Sequence, residues 1–214
     1  EMILKFKSLG HQVSLLPLLS VERLNYDEIN FFDYGGIIFT SANAIKYLEI
    51  NKIDKNILCF CVGHITEKKA RSVGFQRTIS AEGNVLNLKE LILQNYEIKN
   101  KPLLYISGET ISFDLDKQLS NEGYNIKRVI NYRVSQNKKF NENFVKDLIS
   151  NTPEIIYIYS KNSASSFLNF IKIHQIESIW MNTNLMCIGE KTSSILNEIK
   201  WKKIFLFNPG EEEF

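Results

Sequence analysis

The chain has 214 residues, with 26 basic and 24 acidic side chains, a net charge of +2 and 44% hydrophobic residues. That balance excludes a strongly basic nucleic-acid binder, although a few local donors suffice for an anionic small molecule. No signal peptide and no bilayer-length apolar stretch is visible, so a cytoplasmic protein without a membrane partner is expected.

Residues 1–9 read as the end of a helix, with Ile3, Phe6 and Leu9 near helical spacing and Gly10 as C-cap. An α/β chain seldom opens inside a helix, so a preceding strand is expected. Strands are predicted at 12–16, 36–40, 57–62, 103–106, 126–129, 155–159, 185–188 and 203–207. Helices are predicted at 26–30, 42–51, 65–74, 84–95, 112–123, 140–150, 162–174 and 191–199, and 209–214 reads as the acidic first turn of another. Such alternation with short loops implies parallel sheets with helices on both faces. The runs 57–62 and 155–158 are apolar enough to be buried on both sides.

The chain also repeats itself. Residues 36–45 and 155–164 are each an apolar run that breaks into a Ser/Asn turn and opens a helix. Residues 58–66 are echoed by 185–192, and the offsets of 119 and 126 residues drift little. Two similar α/β halves follow, with a cleft between them as the expected ligand site. Segments 15–22 and 129–135 are extended and lack a helix directly after them. They read as two strands joining the halves. One domain would be 20–132, and the other, discontinuous, 1–19 plus 133–214.

In parallel α/β sheets ligands sit beyond the carboxyl ends of the strands. Five loops qualify. They carry Thr40 and Ser41; Gly63, His64 and Thr66; Ser107 and Gly108; Ser160 and Lys161; and Gly189, Lys191 and Thr192. Each is predicted to open a helix, offering unpaired N–H groups, hydroxyls and a positive dipole end, a combination suited to carboxylates or phosphates. Ser and Thr are also ordinary N-caps, which is the competing reading of every such loop. Neither GxxxxGK[ST] nor GxGxxG nor HExxH occurs. His64 alone among the three histidines falls in a candidate loop; His11 and His174 follow or end helices. Cys59, Cys61 and Cys187 lie in apolar strand runs and read as buried free thiols. With no evident nucleophile or acid–base pair, the residues point to pure binding or to a reaction driven by positioning and hydrogen bonds.

In order along the chain come 10–13 with 17–19, then 38–44, Val62-Gly63 with Thr66, Gly74-Phe75, and Gly123-Tyr124 leading to 129–132. Tyr159-Ser160, Cys187-Ile188-Gly189 with Thr192, and Asn208-Pro209 follow. In these motifs the sequence resembles the uroporphyrinogen-III synthase family across essentially its whole length. The resemblance implies two Rossmann- or flavodoxin-like parallel-sheet domains joined by a two-stranded connector, one of them discontinuous. It implies a lyase that closes hydroxymethylbilane, a linear tetrapyrrole, to uroporphyrinogen III with ring D inverted through a spiro intermediate. No cofactor and no metal are expected, and the partner is the small-molecule substrate, with no nucleic acid and no membrane. A monomer is expected, with room for a transient contact with the enzyme that supplies the substrate.

The family's connector tyrosine falls on Tyr132, the expected catalytic residue, whose phenol would help the hydroxyl leave. The plainer reading of Tyr132 is packing on the connector strand. Ser41, Thr66, Ser160 and Thr192 match family positions in the cleft loops. The sequence departs from the pattern at both ends, where a first strand and a final helix are expected. It departs also at Ile106-Ser107-Gly108, where a Leu-Arg-Gly turn is usual, leaving Lys161 or Lys191 to supply the missing charge. The competing functions are a non-enzymatic two-domain binder and a catalytically inactive tetrapyrrole sensor.

Overall fold

The computed structural model describes residues 2–208. The chain divides into two compact units, Glu1–Ser20 with Ser135–Phe214, and Val21–Val134. The second is built on a six-stranded sheet of order β1-β6-β5-β2-β3-β4. Its strands are β1 (Leu19–Arg23), β2 (Gly36–Phe39), β3 (Leu58–Val62), β4 (Thr78–Ala81), β5 (Leu103–Gly108) and β6 (Ile126–Gln136). From β6 to β4 all neighbours are parallel. Leu24 N donates to Asn131 O and Asn137 N to Leu18 O, both at 2.9 Å, so β1 runs antiparallel to β6. These two strands are also where the chain passes from one unit to the other.

The near-continuous apolar strands are explained by a sheet covered on both faces. Ile37, Phe39, Cys59, Cys61, Leu104 and Ile106 point into one core, closed by α2 (Ala42–Lys46) and α3 (Gly63–Ser72) through Ala44, Ile45 and Ala70. Ile38, Phe60, Leu103 and Tyr105 point the other way. There α4 (Val85–Asn95) and α5 (Leu115–Asn121) bury Leu88, Ile92, Leu115 and Leu119. The two-residue side-chain period of a strand thus divides one apolar run between two cores.

The other unit has a parallel sheet of order β7-β8-β9, from Ile155–Ile158, Asn184–Ile188 and Lys203–Phe207. It carries α1 (Met2–Ser8), α6 (Glu142–Ser150), α7 (Lys161–His174) and α8 (Glu190–Ser193). Its core gathers Phe167, Phe170, Trp180, Leu185 and Cys187. Gly10, at φ +86°, follows α1 in the left-handed conformation that a C-terminal glycine supplies.

Several elements differ from expectation. Residues 11–18 form no strand, Pro17 lacking the N–H a ladder needs, and β1 begins just beyond it. No helix forms at 26–30, a stretch too short to nucleate one; a 3-10 turn, Phe31–Asp33, follows. The helix expected over 42–51 stops at Lys46, and that over 191–199 breaks into α8 and a 3-10 turn, Ser194–Leu196. The segment expected over 112–123 is helical only from Leu115 to Asn121, so the loop of Ser107 and Gly108 opens no helix. Both residues still belong to β5. Strand β4 is additional: Thr78-Ile79-Ser80-Ala81 is short and weakly apolar, as an edge strand can be. The expected turn at 209–214 lies outside the described residues.

Candidate active site

In a doubly wound sheet the ligand site forms where the strand order reverses. In the unit Val21–Val134 the chain goes from β2 outward through β3 and β4, then returns to β5 and β6 on the other side. The reversal therefore falls between the carboxyl ends of β2 and β5. Phe39 pairs with Ile106, so Thr40 and Ser107 follow at the same level on this edge. Thr40 Oγ1 lies 3.1 Å from Tyr105 Oη across the gap. Tyr105 is 1% exposed, and burial pushes its phenol up, opposed by the Thr40 bond and the nearby Arg128 charge. Ser41 caps α2, accepting from Asn43 N at 3.2 Å.

A guanidinium organises the end of β5. Arg128, on β6 and paired with Tyr105, donates Nε to Ser107 Oγ at 2.8 Å. Its Nη2 donates to the carbonyls of Gly108 and Glu109 at 2.9 and 3.2 Å. Ser107 Oγ in turn donates to Gly108 O at 3.0 Å. Glu109 accepts both forks of Arg133 at 2.7 Å, and those bonds hold its carboxyl below the usual range. A guanidinium thus stands at this turn, donated from the neighbouring strand. Sequence reasoning gave no role to Arg128 or Arg133, and included Glu109 only as a member of this candidate loop. Their signal lay in strand alternation: Arg128 is one of the basic residues of the strand that pairs with β5.

Tyr132 stands beside this turn, 8% exposed. Its ring lies against the bare backbone of Gly108. A Cβ on that glycine would fall 2.7 Å from Tyr132 Cζ, 2.8 Å from Cε2 and 3.0 Å from Oη. Among the described residues the Tyr132 hydroxyl has no hydrogen-bond partner.

One strand further along the edge, Gly63 begins α3 at φ +72° with no side-chain cap, and a Cβ there would meet nothing within 4 Å. The first-turn N–H groups of α3 accordingly have no side-chain acceptor at the cap. His64 is exposed, and Thr66 is 6% exposed. Glu67 fixes the helix to β4, accepting from Thr78 Oγ1 at 2.8 Å and from Arg71 Nε at 3.0 Å; these bonds lower its carboxyl pKa.

Within the other unit, Ser160 caps α7, accepting from Ser163 N at 3.1 Å, and Lys161 is exposed beside it. Gly189 precedes α8 at φ +68°, Lys191 is exposed and Thr192 is 3% exposed. These follow the adjacent strands β7 and β8. The structure thus gathers Thr40, Ser41, Gly63, His64, Thr66, Ser107, Gly108 and Tyr132 on one edge. Ser160, Lys161, Gly189, Lys191 and Thr192 lie on an edge of the other sheet.

A notch of about 440 Å³ in the unit Val21–Val134 is lined by Arg23, Tyr26, Glu28, Phe31, Glu49 and Lys52. Its charges are matched internally, Lys52 with Glu49 at 2.9 Å and Glu28 at 3.5 Å, and Arg23 with Glu49 at 3.8 Å. All three cysteines are buried, with Cys59 Sγ 3.7 Å from Cys61 Sγ; that contact and burial push the Cys59 thiol far up, and burial pushes Cys187 up to about 11. They are unfit as nucleophiles.

Hydroxyls and a phenol at the switch point of a doubly wound sheet, in a chain with a second parallel α/β unit, make this a two-unit α/β protein with a candidate ligand site at that edge. A family model described as Uroporphyrinogen-III synthase HemD matches residues 1–206, and the chain belongs to that family, one of porphyrin and haem biosynthesis. Among solved structures it is similar to uroporphyrinogen-III synthetase from Helicobacter pylori 26695, with TM-score 0.63 and 20% identity over 91% of this chain and 88% of that one. A mutant uroporphyrinogen III synthase from the extremely thermophilic bacterium Thermus thermophilus matches with TM-score 0.50 and 12% identity, over 93% of this chain and 85% of that one. At such identities these two attest to the fold. No curated protein sequence matches.

Proposed function

We propose that the protein is a uroporphyrinogen-III synthase, a lyase that closes hydroxymethylbilane to uroporphyrinogen III and water, with Tyr132 as its catalytic residue. The observation that carries this reading is the family match over residues 1–206. The geometry that supports it is a phenol seated on Gly108 beside the switch point, where a reacting hydroxyl would find a donor.

The substrate closes without an enzyme to the type I isomer, so the protein must choose a path more than supply a strong base. The terminal carbon–oxygen bond breaks, the hydroxyl leaving as water with a proton that the Tyr132 phenol donates or relays. The substituted end of ring D attacks the resulting azafulvene, forming a spiro intermediate, which reopens and recloses. A pyrrole carbon then gives up a proton, so no net acid is consumed.

Acetate and propionate groups would be held by the first turn of α3, by the loops of Thr40, Ser41, Ser107 and Gly108, and by those of Ser160, Lys161, Gly189, Lys191 and Thr192. Hydrogen bonds to charged groups contribute about 1.5–3 kcal/mol each, so losing a few shifts the branching between isomers by orders of magnitude. Incubation with hydroxymethylbilane, followed by oxidation and chromatographic separation of the isomers, tests the reading. Excess type III product is expected; type I alone, at the uncatalysed rate, would overturn it.

A further inference from the structure

The pairing of β5 with β6 is irregular at its last step. Ser107 pairs with Ile130, but the next residue, Gly108, pairs with Tyr132. Two residues of β6 oppose one of β5, so Asn131 is the extra residue of a β-bulge. The consequence is a change of face. In a regular strand, residues two apart share a face, and Tyr132 would lie with Arg128 and Ile130. A one-residue slip sends every later side chain to the opposite side. Val129, Tyr132 and Val134 accordingly all belong to the core of Ile37, Phe39, Leu104 and Ile106, a spacing of three and then two. Only on that side does Tyr132 meet the bare backbone of Gly108.

The bulge is anchored. Asn131 is 0% exposed, and its Nδ2 donates to Ala44 O, in α2, at 2.7 Å. Its backbone carbonyl accepts from Leu24 N, the residue just after β1, at 2.9 Å, so the extra residue is held from that side and by α2. Its Oδ1 is buried without a partner among the described residues. A buried amide with one end unsatisfied is costly, and an apolar side chain would pack there more cheaply. The donor end is therefore what the position keeps. Ala44 sits just inside the helix that Ser41 caps, so one side chain links the turn after β2 to the strand that carries the phenol.

We propose that Asn131 is a positioning residue of the reaction: as the anchored extra residue of the β6 bulge, it turns Tyr132 onto the face where Gly108 receives its ring. The proposal rests on the reading of Tyr132 given above. It concerns where the phenol is held, and Asn131 itself touches no substrate. A displacement of about 1 Å at a reacting group costs on the order of 100-fold in rate.

The test joins a structural readout to a kinetic one. The crystal structure of Asn131→Ala is expected to show the Tyr132 ring off Gly108. The folded variant is expected to lose kcat by roughly tenfold to 100-fold at little change in KM, and to leak type I product. Introducing Tyr132→Phe into Asn131→Ala should then cost much less than it costs the parent. Where Asn131→Ala does not fold, Asn131→Ser, whose hydroxyl can still donate, is read in the same two ways, with an intermediate loss expected. A ring that stays on Gly108 in the folded variant overturns the proposal whatever the activity. So does a folded variant with parental kcat and isomer ratio in which Tyr132→Phe costs as much as before. A displaced ring with unchanged activity, together with an inert Tyr132→Phe in the parent, instead overturns the catalytic reading of Tyr132, and the reaction role of the bulge with it.

Discussion

Gly108→Ala probes the seat of the phenol with one methyl group. The new Cβ would lie 2.7 Å from Cζ of Tyr132 and 2.8 Å from Cε2, against ordinary contacts that begin at 3.4 Å. The ring must therefore move by about 0.7 Å. It has little freedom, because its other side packs in the core of Phe39, Ile106 and Val129. Overpacking of this kind costs about 1–3 kcal/mol. Part of that falls on stability and part is relieved by turning the ring off its preferred rotamer. Gly108 does not adopt a positive φ, so the backbone itself tolerates alanine. The expected result is a folded protein, modestly lowered in Tm, whose type III rate drops on the order of tenfold to 100-fold because the hydroxyl is misplaced. Thermal denaturation followed by circular dichroism gives the stability arm, and timed hydroxymethylbilane closure with isomer separation gives the other. A folded Gly108→Ala protein with undiminished type III rate and isomer ratio would refute the claim that this seat sets the phenol.

Tyr132→Phe keeps the ring on Gly108 and removes one hydroxyl, so Tm should hold within the effect of about 1.5 kcal/mol or less expected of a neutral hydrogen bond, while type III formation falls. Parallel melts and closure assays check both halves. Arg128→Lys retains the charge but not the fork that joins Ser107 Oγ to the carbonyls of Gly108 and Glu109, so a loss of about 1.5–3 kcal/mol in urea unfolding and a slower type III rate are expected. Glu67→Gln should destabilise at neutral pH. The carboxyl is depressed in the folded state by Thr78 and Arg71, so its contribution is present above the usual 4.5 and lost as pH falls through the lower folded value; urea unfolding of both proteins should therefore differ at neutral pH and converge in acid. Ser160→Ala removes the α7 cap and should cost about 1 kcal/mol, and at equal folding type I leakage should also rise; an unchanged isomer ratio would reduce Ser160 to a cap.

Much of the fold was legible because its signal is local. The apolar runs of β2, β3, β5, β7 and β8 and the glycines at 63 and 189 stand where strand gives way to helix. What failed depends on partners distant in sequence. The helices expected to continue beyond Lys46 or Ser193 end early, as boundaries that local propensity does not fix. Arg128 was overlooked because its acceptors, Ser107 Oγ and two carbonyls, belong to another strand. The bulge did leave a local mark: in β6 the core-facing residues are Val129, Tyr132 and Val134, so the alternation slips phase at Asn131. Dividing that stretch into a strand and a separate connector absorbed the slip without explaining it, since one continuous strand, Ile126–Gln136, spans both.

The repeat and its breakdown bear on how the chemistry is divided. Both halves place Gly-x-x-Thr after a buried strand, with the glycine at φ +72° or +68° and the threonine 6% or 3% exposed. This shared piece is a backbone device: it sharpens the exit from the strand, points N–H groups beyond the sheet and buries a threonine in the first turn. It suits recognition of carboxylates, which the substrate carries along its whole length, and repetition suits it. The phenol cannot be repeated in the same way. Its placement needs a strand long enough to hold a bulge, a glycine opposite, and a helix carbonyl to anchor the extra residue; β6, at 11 residues, provides the first, and Gly108 and Ala44 the others. The described strands of the other sheet have at most five residues, and their registers run without a slip. On the proposed reading, anchoring would fall to both halves, whereas proton donation to the leaving hydroxyl would fall to one strand of one half.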